Sequence, residues 1–183
     1  MRLFSRSKHS PEQSGLRPPV IAPARPAPQL PPALAASLGT AGGLEIRASS
    51  GRGELEAALR IRYEVFCLEQ GVPRGEERDG RDHSALHLIA VRDGEVLATC
   101  RLLFVGTTVQ FSRLAVIAAA RRQGIATLLL SAADAEARAG GATRLVLHAQ
   151  TYARSLYEQA GYEPRGREFV EADIEHIAME KVL

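Results

Sequence analysis

The sequence predicts an α+β domain, a mixed and mostly antiparallel sheet flanked by helices. Three observations carry that expectation. Hydrophobic spacing between residues 44 and 183 alternates between periods of two and periods near 3.6. The dipeptide Asp93-Gly94 joins two apolar runs in the manner of a tight hairpin. Two helical patterns end on glycine, at Gly140-Gly141 and at Gly161.

The elements follow in order. Leu44–Ala48 reads as a short strand, and 49–53 as a turn. Residues 54–66 read as a helix, with Leu55, Ala58, Leu59, Arg62 and Phe66 at helical spacing. Residues 67–84 read as a polar loop holding Gly71, Pro73, Gly75 and Gly80. Strands are expected over 86–91, 96–104 and 109–116, an antiparallel meander by its short connections. A helix over 123–138 carries a stripe of Ile125, Leu128, Leu129, Ala132 and Ala135. A strand over 144–148, a short helix over 152–160 and a last strand over 174–182 complete the series.

Composition divides the chain. Residues 1–43 hold eight of the ten prolines and five cationic residues against one acid, a charge of +4 that leaves −2 on the remainder. Those prolines block both helix and ladder hydrogen bonds, so 1–43 is expected to be a disordered, basic Pro/Ala-rich tail and 44–183 the folded domain. The overall charge of +2 therefore gives no footing for nucleic-acid binding. No run approaches the roughly 20 apolar residues of a membrane span. Cys67 and Cys100 are the only cysteines, which suits a reducing, cytoplasmic location. His83, His87 and His176 have no metal-ligand spacing with the cysteines or with one another, so no metal is expected.

A strand ending near Val116 runs through a short link into a helix that opens at Gln123-Gly124. Helix starts carry unpaired N–H groups and partial positive charge, so they bind anions. Gly124 permits close approach to the backbone, Ala126 is too small to obstruct it, and Arg121 and Arg122 add cations. A diphosphate fits that arrangement. An ordinary capped helix with solvated arginines fits it too.

The pattern Arg121-x-x-Gly124-x-Ala126 resembles the signature of the GNAT superfamily of N-acetyltransferases. The segment 149–162 resembles a second GNAT segment, through Ala149-Gln150, Ala153, Leu156-Tyr157 and Gly161-Tyr162. The front half (Arg62, Val65-Phe66, Glu69-Gln70-Gly71, Glu77, Asp79, Asp82 and His87) resembles the ElaA-type and YjcF-type branch. So does the ending Phe169-x-Glu171-x-x-Ile174-x-His176-x-x-Met179. Together these cover about 140 residues, the whole of the expected domain.

The resemblance implies a GNAT acyl-CoA N-acyltransferase fold. Its co-substrate would be acetyl-CoA or another short acyl-CoA, and its acceptor a small-molecule or protein amine, attacked directly in a ternary complex. Arg121, Arg122, Gln123, Gly124, Ile125 and Ala126 would hold the pyrophosphate. Leu114, Ala115 and Val116 would line the pantetheine arm, with Gln150 beside it. Tyr157 would donate a proton to the departing thiolate, although the residue type also suits plain packing on a face with Ala153 and Ala160. An N–H near Val116 would polarise the thioester carbonyl. A homodimer is compatible with the resemblance.

Departures from the family leave alternatives open. Where histone-type members carry a Glu base, this chain has Gln110, which cannot take a proton; Glu69 and His148 are the substitutes considered. Glu69, Glu77, Asp79 and Asp82 either line an acceptor mouth and attract an amine cation or form a solvated loop, and Arg62 would pair with one of them to pin the loop. The front half also resembles acyl-homoserine-lactone synthases through Arg62, Phe66, Asp79, Asp82 and Arg101, but this chain has no Trp and does have the CoA-type turn. A non-catalytic acyl-CoA-binding module is the third reading.

Overall fold

A computed structural model of the protein describes residues 43–183. The expected tail, apart from Gly43, lies outside them. The chain runs β1 (Leu44–Ala48), α1 (Gly51–Arg62), a π-helical segment (Tyr63–Glu69), a single turn α2 (Arg74–Glu77), β2 (Leu86–Arg92), β3 (Glu95–Val105), β4 (Thr108–Val116), α3 (Ile125–Ala139), β5 (Arg144–Gln150), α4 (Arg154–Gln159), β6 (Glu163–Glu171) and β7 (Ile174–Val182). The strands form one seven-stranded sheet in the order β1-β2-β3-β4-β5-β7-β6. Every pairing is antiparallel except β4 with β5.

Both faces of the sheet are covered. Leu88 and Ala90 of β2 pack toward α3, while Ile89 and Val91 pack toward Ala58 of α1. A strand buried on both sides needs apolar residues at every position, which is why β2 reads as a continuous run. Ile61 and Val65 continue the α1 face onto Ala115 of β4. On the other face Ile125, Leu129, Ala132, Ala133 and Ala137 of α3 meet Phe111, Leu145, Leu147 and Ile177. The α3 stripe is rotated from the expected one. Leu128 is exposed, and Leu130, Ala133 and Ala137 take the buried positions.

The structure corrects four expectations. The helix placed at 54–66 begins at Gly51 and passes after Arg62 into π geometry, which often marks a functional segment. Residues 67–84 contain the end of that segment and the turn α2 rather than a plain loop. The helix placed at 123–138 starts at Ile125, so Gln123 and Gly124 belong to the preceding turn. Strand β6 was not expected at all. It is exposed along nearly its whole length, contains Pro164 and Gly166, and turns into β7 through Ala172-Asp173, both at positive φ (51° and 59°). Hairpin turns of that kind are usually signalled by Asn-Gly or Asp-Gly. Its proline, charges and register break after Arg165 are how an open sheet edge resists unwanted pairing.

Gly140 and Gly141 end α3 for different reasons. Gly141 sits at φ +76°, which disfavours any side chain. Gly140 has ordinary φ, but an added Cβ would lie 2.5 Å from Cε1 of Phe104. Gly140→Ala is expected to cost about 1–3 kcal/mol by overpacking. A urea titration checks this: a lower midpoint with unchanged slope is expected, and a wild-type midpoint refutes it.

Candidate active site

β4 and β5 pair only from Thr108–Gln110 to Arg144–Val146, and then separate. The parting is prepared on β4 itself. Its register against β3 shifts by one residue between Ser112 and Ala115, and Arg113 stands there at φ 59°. This is a β-bulge, which bends the strand that carries it. Beyond the bulge the outer edge of β4 has no strand partner. The gap is a cleft of about 460 Å³ whose walls include Phe66, Leu114, Ala115, Val116, Leu147 and Tyr157. Extended backbone with unused N–H and C=O groups can pair with a ligand amide as a further strand would.

One end of the cleft is cationic. Gly124 precedes α3 at φ +78°, and the first helical bond there is Leu128 N–H to the Gly124 carbonyl, so the N–H groups before it are unspent. A Cβ at Gly124 would meet nothing within 4 Å, leaving room for a ligand. Ala126 lines the cleft. The side chains expected here divide. Ile125 is buried in the core and has only its N–H to offer. Gln123 braces the turn, accepting from Arg92 at 3.0 Å and donating to the Ala119 carbonyl at 3.1 Å. Arg122 stands at φ 61° and, like Gln123 and Gly124, is not part of the cleft wall. Arg121 lies at the cleft, where it donates to the Val116 carbonyl at 3.0 Å and to Glu69 at 2.6 Å.

Tyr157 stands deeper. Phe111 and Tyr162 meet its ring edge-on at 6.3 and 6.0 Å, so the ring is fixed on two sides. Its hydroxyl has no hydrogen-bond partner among the described residues, and the residue lines the cleft. Burial pushes the phenol well above its usual range. It therefore holds its proton at neutral pH and acts as a donor. Packing and an open hydroxyl coexist in one residue.

Across the sheet face that carries β5, β7 and β6, register brings together residues far apart in sequence. Gln150 lies opposite His176, and His176 opposite Phe169. Phe169 stacks on His176 at 6.0 Å and meets His148 edge-on at 4.9 Å. His148 Nδ1 is 2.9 Å from Glu171, so it donates there and leaves Nε2 as the acceptor. His148 is half exposed, at the rim. Glu69, the other base considered, has its carboxylate on Arg121 and joins the phosphate turn to the π-helical segment instead.

Of the acids of residues 77–82, Glu77 is buried against the cleft wall, Asp82 is half-buried and Asp79 stays at the surface, and all three are spent on arginines. Arg62 is fully buried, donating to Glu77 at 2.5 Å and to Asp82 at 2.6 Å. Arg101 forks onto Asp79 with two bonds of 2.7 Å and reaches Asp82 at 3.1 Å. Arg113 ties the carbonyls of Glu76 and Glu77 at 2.8 and 3.1 Å. The Arg101 guanidinium beside Asp79 holds that carboxyl well below the usual carboxylate range. Burial alone would raise Asp82, but Arg62 and Arg101 outweigh it and hold it down. These pairs pin the cleft wall, the role expected of Arg62. They also consume four of the five residues on which the lactone-synthase resemblance rests.

Tyr152 escaped the sequence reading, and so did its link to two residues that were singled out, for Gln70, Gln150 and Tyr152 form a closed ring of hydrogen bonds. Gln150 donates to Gln70 at 2.9 Å, Gln70 to Tyr152 at 3.2 Å, and Tyr152 to Gln150. The ring ties the end of the π-helical segment to the end of β5. Glu171 and His176 sat in a motif that was noticed, but their partners emerge only once β6 is placed.

Residues 50–183 match the family model described as an acetyltransferase (GNAT) domain. The uncharacterized N-acetyltransferase YjcF of Bacillus subtilis is 33% identical over 130 residues, covering 70% of this chain and 92% of that one. An acyl-CoA N-acyltransferase from Pseudomonas aeruginosa superposes with a TM-score of 0.67 at 33% identity, covering 75% of this chain and 99% of the other. Escherichia coli ElaA shares the fold, with a TM-score of 0.69 at 24% identity over 75% and 99% of the two chains. With strands that part beside an open helix start, and a family match that spans both, this chain belongs to the GNAT acetyltransferases, enzymes that move an acyl group from coenzyme A to an amine.

Proposed function

We propose that this enzyme takes an acetyl or other short acyl group from acetyl-CoA and delivers it to a small-molecule or protein amine by direct attack in a ternary complex. The observation that carries the reading is the parting of β4 from β5 between the unspent N–H groups at the start of α3 and the unpartnered hydroxyl of Tyr157. In this reading the backbone from Gly124 to Ala126, with Arg121 and Arg122 nearby, neutralises the pyrophosphate. Leu114, Ala115 and Val116 offer their free edge to the pantetheine amides, and Gln150 closes the opposite side. A backbone N–H near Val116 stabilises charge that develops on the thioester oxygen. Tyr157 protonates the departing sulfur. His148 belongs to the acceptor side, its tautomer held by Glu171. Two free thiols, Cys67 and Cys100, suit the reducing cytoplasm.

Calorimetry with acetyl-CoA and with S-adenosylmethionine, followed by thiol release from acetyl-CoA with a panel of primary amines, tests the reading. Binding of acetyl-CoA alone and amine-dependent thiol release are expected. Binding of S-adenosylmethionine without CoA would favour a lactone-signal synthase, and CoA binding with no thiol release a binding module.

A further inference from the structure

An amine attacks a thioester only as its free base, so something in the cleft must accept a proton. Gln110 cannot, and its side-chain oxygen accepts a bond from Arg81 at 3.2 Å. Glu69 is taken by Arg121. His148 also keeps Nε2 free but stands half exposed at the rim, whereas His176 offers a free lone pair in a sheltered place.

His176 is 8% exposed and lines the cleft. Its Nδ1 lies 2.8 Å from the carbonyl of Ile174, two residues earlier on β7. A carbonyl only accepts, so Nδ1 carries the proton and Nε2 of the neutral ring carries the lone pair. Among the described residues Nε2 has no partner. Phe169 stacks against the ring and fixes its plane. The atom is not sealed in the core; it is open to the cleft that would receive the thioester, where a substrate proton can reach it. Three features thus converge: a tautomer locked from behind, a ring held flat by an aromatic neighbour, and a basic nitrogen facing the cleft.

We infer that His176 Nε2 accepts the proton of the attacking amine, which rests on the transferase reading above. His176 Nε2 takes one proton from the alkylammonium and passes it to solvent; the N–C bond of the free amine then forms as the C–S bond breaks, the sulfur receives its proton from the Tyr157 hydroxyl, and the second N–H proton, lost as the amide forms, leaves through solvent, which restores Tyr157. The charged and titratable groups that face the imidazole are His148 and Glu171 from the adjoining strands. Across the cleft stand Glu76, Arg113 and the Glu69–Arg121 pair.

Two variants separate chemistry from packing. Asparagine places an amide N–H where Nδ1 stands, so His176→Asn keeps the bond to Ile174 and removes the base. Glutamine reaches the position of Nε2 but loses that bond. With acetyl-CoA and primary alkylamines, His176→Asn is expected to lower kcat about 10²-fold or more, with acetyl-CoA affinity unchanged. With a weakly basic amine, already unprotonated at neutral pH, the loss is expected to shrink to less than tenfold. A merely structural His176 gives the opposite split, with Asn near the wild-type rate and Gln impaired. Wild-type turnover of primary alkylamines by His176→Asn overturns the inference alone. No thiol release by the wild-type enzyme across the amine panel overturns the transferase reading, and the inference falls with it.

Discussion

Tyr157→Phe is expected to lower kcat for acetyl-CoA-dependent acylation about 10²-fold while leaving the fold and the affinity for CoA intact. The argument rests on what the phenol touches. Its ring is held by Phe111 and Tyr162, and phenylalanine keeps both edge contacts. Its hydroxyl has no partner in the chain, so its removal leaves no buried polar atom unsatisfied, and that kind of loss is what makes buried-polar deletions costly. Folding stability should therefore change by less than about 0.5 kcal/mol. What the proposed mechanism loses is its proton donor to the departing sulfur. Burial pushes the phenol up, which keeps it protonated through the neutral range and suits it to give a proton rather than take one. General-acid assistance is worth typically 10²–10⁴-fold, and a hundredfold loss corresponds to about 2.7 kcal/mol of barrier. Steady-state thiol release and CoA calorimetry on the same preparation check both halves. A variant with wild-type kcat would reduce Tyr157 to a packing residue.

The parts of the molecule legible in the sequence are those whose signal is local. Asp93-Gly94 marks its hairpin, the Gly140-Gly141 pair ends α3, and Arg121-x-x-Gly124-x-Ala126 sits where backbone N–H groups are left over. What stayed hidden depends on register between distant segments. β6 lacks a glycine in its turn and an apolar face to announce it, and without β6 there is no reason to set Phe169 against His148 and His176. The π geometry of 63–69 has no local signature either. It emerges because Arg62 and Val65 are buried on the inner side while Glu69 and Gln70 must reach Arg121 and Gln150. The acids at 77–82 read as surface residues because a charged loop usually is one. Their pairing becomes intelligible only when the topology delivers Arg62, Arg101 and Arg113 from three separate elements to the same place.

That cluster carries the second large effect. Arg62→Met is expected to destabilise the domain by about 3–5 kcal/mol, because it removes the hydrogen-bonded cation of a Glu77 carboxylate whose side chain is only 1% exposed and leaves it Arg113 at 4.0 Å. The penalty is the cost of a poorly compensated buried charge, not the net worth of the pair, since two charges removed from water forfeit much of what they regain from each other. It follows that Arg62→Met combined with Glu77→Met should cost less than Arg62→Met alone, and a double-mutant cycle by urea unfolding reads that coupling directly. Asp82 keeps Arg101 in either variant, so the rest of the cluster holds. The same cluster sets an acid limit. Asp79 and Asp82 have folded-state values below the roughly 3.9 of an unfolded aspartate, so their contribution is complete above that pH and is lost as pH falls through the folded values. Stability is thus expected to drop steeply below about pH 4, whereas Asp79→Asn, which carries no titrating carboxyl, should start lower and fall less. An Arg62→Met protein within 1 kcal/mol of wild type would mean that Glu77 finds water or another cation, and the cluster would then not be what pins residues 74–84 to the cleft wall.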